Sequence, residues 1–409
     1  MRKKIHNGRL QNGQLVSIHI NDGHIEQLDV LETPSTVSDG DIDLKEWLLL
    51  PAMAEPHAHL DKALTAEKIP NPKGDLQGAI NAWISAANNG IITYENTIDR
   101  AVEAMHLLVA RGVTAVRTHV NVGTGIQGIE AIQEAKKLVD GLIDVQIVAL
   151  TMNPMTGSEG KANRSALDAA IEAGIDYVGG CPHLDPDGSN LIKNALDVAE
   201  DAGLGIDLHV DEMLDPSVLT LHDLAIQVME RGFENPVAAS HCVTLGLQSP
   251  EKQKEIALQV AKANIKVFPL PQTNLFLQGR NNPTATPRAI TAIKALKEAG
   301  VLVAAGADNV QDPFNLLGRS DPLETAALLV MAAHELPEDA YKMVSINARE
   351  AMGLEKADLS PGSLADFIAI DSPSIRGAMA EAPMSRKIFK EGEMVSSSTQ
   401  STQINLKVL

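Results

Sequence analysis

Four histidines and one aspartate in this 409-residue chain stand where apolar runs stop. His57-Ala58-His59 follows the first run, and His209 closes a later one with Asp211 and Glu212 just behind it. His241 and Asp308 end two more. Successive residues of an extended segment point to opposite sides, so His57 and His59, two apart, present both imidazoles to one face. Three neutral imidazoles and one carboxylate suit a divalent transition metal, Zn²⁺ or Fe²⁺ with Mn²⁺ also served, and leave one position open for water. A lone histidine at a strand end is ordinarily a satisfied polar residue. The HxH pair, two further strand-end histidines and Asp308 together point to a metal. Such a metal lowers the pKa of its water towards ~7. Expelling an amine also needs protons. Glu212, three residues after His209, is placed to donate one without ligating, and Asp308 to take one from the water.

The elements that must position these groups are apolar runs at 47–54, 113–120, 143–150, 175–179, 204–210, 236–240, 264–270 and 301–307. Each is compact, the pattern of strands buried on both faces of a parallel sheet. Helical patterns lie between them, at 126–140, 188–203, 217–232, 250–263 and 286–299 among others, several ending at a glycine such as Gly112, Gly174, Gly203 or Gly300. Eight strands alternating with helices predict an α/β fold, a (β/α)8 TIM barrel over 51–354, whose active site lies at the C-terminal strand ends. An open doubly wound sheet finds no support, since no GxGxxG follows an early strand. The two ends differ in style. Residues 1–46 carry Asn7-Gly8, Asn12-Gly13 and Asp22-Gly23, which are hairpin signals, and the tail from about 360 resumes short alternating runs. Neither end closes a core alone, so 1–50 and 355–409 are expected to form one small β-sandwich domain, with the Ser-rich stretch 396–401 as a loop or frayed end.

Composition narrows the function classes. Hydrophobic residues at 44% supply a large core, and Lys+Arg 34 against Asp+Glu 53 gives a net charge of −19. That charge disfavours nucleic acid and anionic lipid as partners. Only 2 cysteines are present, Cys181 and Cys242, and no CxxC, so there is no disulfide framework. The basic N-terminus lacks an apolar h-region and no run is long enough to span a membrane, which predicts a cytoplasmic protein.

PHAHLDK (56–62), VRTHV (116–120), GIDLHVDE (205–212), ASH (239–241), LQGR (277–280) and GADN followed by DPF and LG (306–318) resemble the amidohydrolase superfamily, and most closely its cytosine deaminase family. PGSLADFIAID (361–371) fits that family's split β-sandwich. The resemblance implies a metal-dependent deaminase in which hydroxide attacks the ring carbon bearing the amino group. It implies one divalent metal per subunit on His57, His59, His209 and Asp308, with His241 orienting the attacking oxygen. Glu212 would carry a proton to the ring nitrogen, and Asp308 one to the departing amine. It also implies a homo-oligomer and a small heterocyclic substrate. Binuclear relatives carry a lysine after the fourth strand. Here that stretch reads VGGCPH (178–183), and Cys181 is more simply a buried structural thiol than a substitute ligand.

The substrate-side residues depart from the cytosine type. After IVAL (147–150), the place of a glutamine that pairs with the pyrimidine amide edge falls on Met152, which cannot donate, with Asn153 next to it. Asn309 replaces a second aspartate, Asn121 stands where an aspartate is expected, and Lys62 replaces a neutral residue. With Gln278 and Phe314, the residues Met152, Asn153, Asn309 and Lys62 form the expected substrate contacts. Swaps of this kind redirect specificity away from cytosine itself. His119 and His183 are expected to be structural or supporting, and Cys242 to point away from the site. Two alternatives stay open beside ring deamination: hydrolysis of an N-alkylamino-triazine or cyclic amide, and a metal-bearing homologue without catalysis.

Overall fold

A computed structural model describes residues 2–38, 41–123 and 125–404. The last five residues of the 355–409 segment lie outside the described residues. Seven parallel strands form one sheet in chain order: β1 (Met53–Ala58), β2 (Val113–Val122), β3 (Asp144–Thr151), β4 (Tyr177–Gly179), β5 (Gly205–Val210), β6 (Val237–His241) and β7 (Lys266–Phe268). The segment 301–308 closes the ring by single bridges on each side, Val267 to Val303 and Ala58 to Asp308. The chain is a (β/α)8 barrel whose eighth member is not a regular strand. Beside its end stands Glu55. Its buried carboxylate accepts the Ala307 N–H at 3.1 and 3.0 Å, taking a donor a strand ladder would use.

Helices follow the apolar spacing. The patterns at 126–140, 188–203, 217–232 and 250–263 appear as Gln127–Leu138, Gly188–Ala202, Thr220–Arg231 and Pro250–Lys262. Between β1 and β2 lie α1 (Leu76–Asn88) and α2 (Tyr94–Arg111). Thr93 and Asn96 form a capping box at the start of α2, and Gly112 ends it at φ 105°, a left-handed turn that feeds the chain directly into β2. The predicted helix 286–299 shrinks to Ile293–Glu298. Pro287 has no N–H to donate, and Ala285 and Ala289 have φ 48° and 52°. Among the described residues no helix is long and apolar enough to cross a membrane.

The terminal segments build one separate eight-stranded sheet, with Phe367–Ile370 from the tail paired antiparallel to Leu48–Pro51 from the head. The apolar run 47–54 therefore serves two sheets. Ala52 donates to Asp366 of the terminal sheet and Met53 to Gly112 beside the barrel, so the chain crosses between them at one peptide. Ser396–Ser398, expected as a loop, end the strand Glu393–Ser398. One face of this sheet encloses its own core around Val16, Ile18, Phe367 and Phe389. The other presents Ile368, Ile370 and Ile388 to the barrel helices.

Buried ion pairs fasten the sheet to the barrel. Arg386 donates to both oxygens of Asp321 at 3.1 and 2.7 Å and to the Arg111 carbonyl at 2.6 Å. Asp321 in turn caps the helix Pro322–Ala332. Arg386→Met should destabilise the chain by about 3–5 kcal/mol, because Asp321 is left as a buried, unpaired charge. Adding Asp321→Asn, which removes the charge and keeps a capping oxygen, should restore most of the urea midpoint. Equal midpoints for the single variant and the native chain would refute this.

Candidate active site

The barrel interior is layered. At its lower end Ala54, Ala115, Ala238, Ala304 and Phe268 pack with Met352. Above them Arg117 lies over the Tyr177 ring at 3.9 Å, bonds Gln146 at 3.0 Å and pairs with Asp207 at 2.8 Å. Two residues further along β2 and β5 come His119 and His209, as the strand period requires. The ligand candidates therefore rest on a buried polar floor.

From that floor the histidines receive their orientation. Ser240 donates to Asp207 at 3.2 Å, and its oxygen faces His57 Nδ1 at 2.7 Å. His57 Nδ1 must then carry the proton, which turns an Nε2 lone pair into the site. His59 Nδ1 faces the His119 carbonyl at 3.0 Å and His241 Nδ1 faces Asn274 Oδ1 at 3.0 Å, with the same consequence. His119 stacks on His57 with centroids 3.9 Å apart; neither of its ring nitrogens has a hydrogen-bond partner among the described residues, and its Nε2 lies 3.6 Å from Asp207 Oδ1.

His57, His59, His209, His241 and Asp308 converge above β1. Asp308 Oδ1 is 3.2 Å from His59 Nε2 and 3.7 Å from His57 Nε2, and His209 Nε2 is 3.2 Å from His59 Nε2. Burial holds all four imidazoles neutral, lowering His59 to about 3 and His241 to about 4. Neutral rings whose nitrogens face one another, and the orphaned buried atoms His57 Nε2, His241 Nε2 and Asp308 Oδ1, call for a cation. Tetrahedral bonds of ~2.1 Å put ligand atoms about 3.4 Å apart, close to the spacings here, so the residues fit a divalent metal.

Two of these residues reach the site only through unusual backbone. Ser240 already points into the barrel, so strict alternation would turn His241 outward. His241 instead has φ 66° and Cys242 φ 49°, and this left-handed turn swings the His241 imidazole inward. Cys242 N–H bonds to the Val210 carbonyl at 2.8 Å, which holds the turn, while its buried thiol faces the Ala239 and Ser240 carbonyls. Asp308 has φ 70°, held by its own N–H on the His57 carbonyl at 3.1 Å. Glu55 reinforces both sides of this junction, accepting from His57 N–H at 3.3 Å as well as from Ala307. Gly306 is required here, because a Cβ would lie 2.3 Å from Glu55 Oε1.

A cavity of about 320 Å³ opens over the cluster. Glu212 lines it, 3.7 Å from His241 Nε2, and burial with the nearby Asp308 charge pushes its carboxyl well above the usual range. Burial likewise raises Asp308 to about 6. Lys62, Met152, Asn153, Asn309 and Phe314 also line the cavity. Gln278 does not. It caps the helix Pro271–Leu277 in extended backbone, and both polar atoms of its side-chain amide are buried without a hydrogen-bond partner among the described residues. Asn309 is tied to Asp312 at 2.8 Å, whereas the buried Asn153 Oδ1 has no partner among the described residues. Cys181 is a wall residue whose thiol burial pushes up to about 12, and it is not among the converging groups of ligand atoms. His183 bonds the His209 carbonyl at 3.1 Å. Sequence reasoning overlooked α1, which contributes Leu76, Ile80, Trp83 and Ile84 to the cavity. Their i, i+4, i+7, i+8 spacing was the available signal.

The model of the "Amidohydrolase family" matches residues 92–395. The chain belongs to this family. As an amidohydrolase it is a hydrolase of carbon–nitrogen bonds, and the family is metal-dependent. It is 29% identical over 362 residues to pterin deaminase of Rhizobium rhizogenes strain K84, covering 86% of this chain and 82% of that protein. It is 26% identical over 378 residues to N-isopropylammelide isopropyl amidohydrolase of Pseudomonas sp. strain ADP, covering 88% of each. The crystal structure of 5-methylcytosine deaminase from Klebsiella pneumoniae liganded with 5-fluorocytosine superposes with a TM-score of 0.89 at 28% identity, covering 98% of this amidohydrolase and 99% of that chain. The resemblance to the cytosine deaminase type is borne out.

Proposed function

We propose that this amidohydrolase deaminates a nitrogen heterocycle by hydrolysis. The observation that carries the reading is a buried carboxyl, Glu212, 3.7 Å from His241 Nε2 in a cavity whose base is the ligand cluster. His57, His59, His209 and Asp308 would hold one divalent ion, which would supply an activated water at neutral pH. His241 Nε2, whose lone pair faces the cavity, accepts a hydrogen bond from that water and aims its oxygen. The oxygen adds to the ring carbon bearing the amino nitrogen. Glu212 gives its proton to the adjacent ring nitrogen and is reprotonated from the water, while Asp308 passes the water's other proton to the departing nitrogen. The carbon–nitrogen bond breaks, the amine leaves neutral, and the ring keeps the oxygen as a carbonyl and the new N–H. Ring and water together thus give a lactam and an amine, with all atoms accounted for.

The names of the relatives support the reading. Two are deaminases, and the third is named for releasing an isopropyl amine. The test is chromatography of metal-reconstituted protein against aminopyrimidines, aminotriazines and pterin-like rings. The expected products are ammonia or an amine and an intact ring with one new carbonyl. A ring-opened acid would favour cyclic-amide hydrolysis, and tight binding with no turnover would favour a protein that has kept its metal and lost its reaction.

A further inference from the structure

The reacting groups lie deep. His57, His59, His209, His241, Asp308 and Glu212 are each at most 6% exposed, so a ring reaches them only through the mouth of the cavity. One wall of that mouth is α1, whose Leu76, Ile80, Trp83 and Ile84 line the cavity.

The barrel does not hold α1 as it holds the helix that follows. α2 buries Ala101, Ala104, Met105, Leu108 and Val109 in the main core. α1 buries only Ala79, Trp83 and Ala86. Trp83 and Ala86 form a small cluster with Ile69, with Ala82, Ile92 and Phe314 packed against it, and no member lies on a barrel strand. Leu76–Asn88 contains no charged residue. Among the described residues, its hydrogen bonds reach no further than Asp75 on one side and Ile91 on the other. Few buried contacts and purely local hydrogen bonds mark a segment that opens at low cost.

The chain before α1 is firmly tied. Arg100 of α2 donates to the Asp61 and Ala63 carbonyls at 3.0 and 2.7 Å, and the Leu64 N–H to the Val310 carbonyl at 2.9 Å. Between this anchored loop and α2, Gly74 and Gly90 flank α1, both at φ 67°. Such left-handed glycines absorb rotation that other residues resist. Two contacts hold the helix down. The Trp83 ring lies 5.6 Å from the Lys62 ammonium and packs beside Phe314. At the first glycine, the Arg280 guanidinium fills the place that a Gly74 Cβ would take. It is fixed there over the Phe276 ring at 4.7 Å and by the Phe276 carbonyl at 2.6 Å.

We propose that α1 is a gate. It swings on Gly74 and Gly90 to admit substrate and release product, and Trp83 is the latch that closes it on Lys62 and Phe314. The gate goes beyond the deaminase reading and serves any reaction at this cluster.

Hydrogen exchange on the full chain tests the opening. Amides of α1 should exchange at least about a hundredfold faster than those of α2. Trp83→Ala should raise the α1 rates further and leave α2 unchanged. The second readout is traffic to the ligand cluster, with Zn²⁺ as the probe and a chromogenic chelator to collect it. In Trp83→Ala both release and uptake should be at least about tenfold faster with the Zn²⁺ Kd unchanged, because a gate alters both rates alike and touches no ligand. Arg280→Ala, which keeps the Trp83 cluster, should act in the same direction. Equal protection of α1 and α2 in the native chain would overturn the gate. So would native Zn²⁺ rates in both variants, or release that rises alone with a weaker Kd, the mark of a distorted ligand site.

Discussion

Glu212→Gln should leave the bound metal and the cavity in place while lowering kcat by about 10²- to 10⁴-fold, the usual contribution of a positioned general acid. The two side chains have the same shape, and burial already pushes the native carboxyl toward its neutral form, so exchanging it for a neutral amide costs the fold little. What changes is the transferable proton. An amide still donates a hydrogen bond but cannot release a proton to a ring nitrogen and recover it from water. Glu212 does not belong to the groups of converging ligand atoms around His57, so metal measured by atomic emission should match the native protein. The decisive pair of measurements is that metal content beside steady-state turnover. Full activity with full metal would remove Glu212 from the reaction, and loss of both together would make it a ligand.

Stripping the protein with a chelator should lower turnover by roughly 10³-fold or more, which corresponds to the several kcal/mol that a bound ion supplies. Adding Zn²⁺, Fe²⁺ or Mn²⁺ back should restore it and rank the three. The same treatment should reduce stability, since His57, His59, His209 and Asp308 then face one another across a buried space with orphaned lone pairs. A ligand present at 1,000 times its Kd stabilises the native state by about 4 kcal/mol, so stripped and loaded protein should differ by that order in urea unfolding. Turnover that survives complete metal removal would refute the assignment of this cluster.

Much of the site was legible because parallel strands buried on both faces write themselves as apolar runs, and polar groups at their ends stand out. His57, His59, His209 and His241 were found this way, as was Asp308. The failures share a cause. The run 47–54 was read as one strand because periodicity reports burial and is silent on which sheet does the burying; Leu48–Pro51 and Met53–Ala58 are equally apolar in different sheets. Gln278 is expected at the substrate from its motif, and it stands outside the cavity lining. The stripe on α1 has helical spacing, but spacing alone does not say whether a stripe meets a core or lines a cavity.

By itself the amino-acid sequence pointed to the barrel, to imidazoles and a carboxylate gathered at its strand ends, and to Glu212 three residues after His209. Local residue types and strand period are sufficient for those, since each is a property of neighbours in the chain. The tertiary structure decided which lone pairs face the site. That depends on Ser240, the His119 carbonyl and Asn274, each far in sequence from the ring it orients. It also decided that His241 and Asp308 turn inward, because a left-handed residue persists only where distant hydrogen bonds hold it. Finally, it set the Lys62 ammonium against α1, 5.6 Å from the Trp83 ring, a juxtaposition made by folding the β1 loop and helix over the barrel mouth.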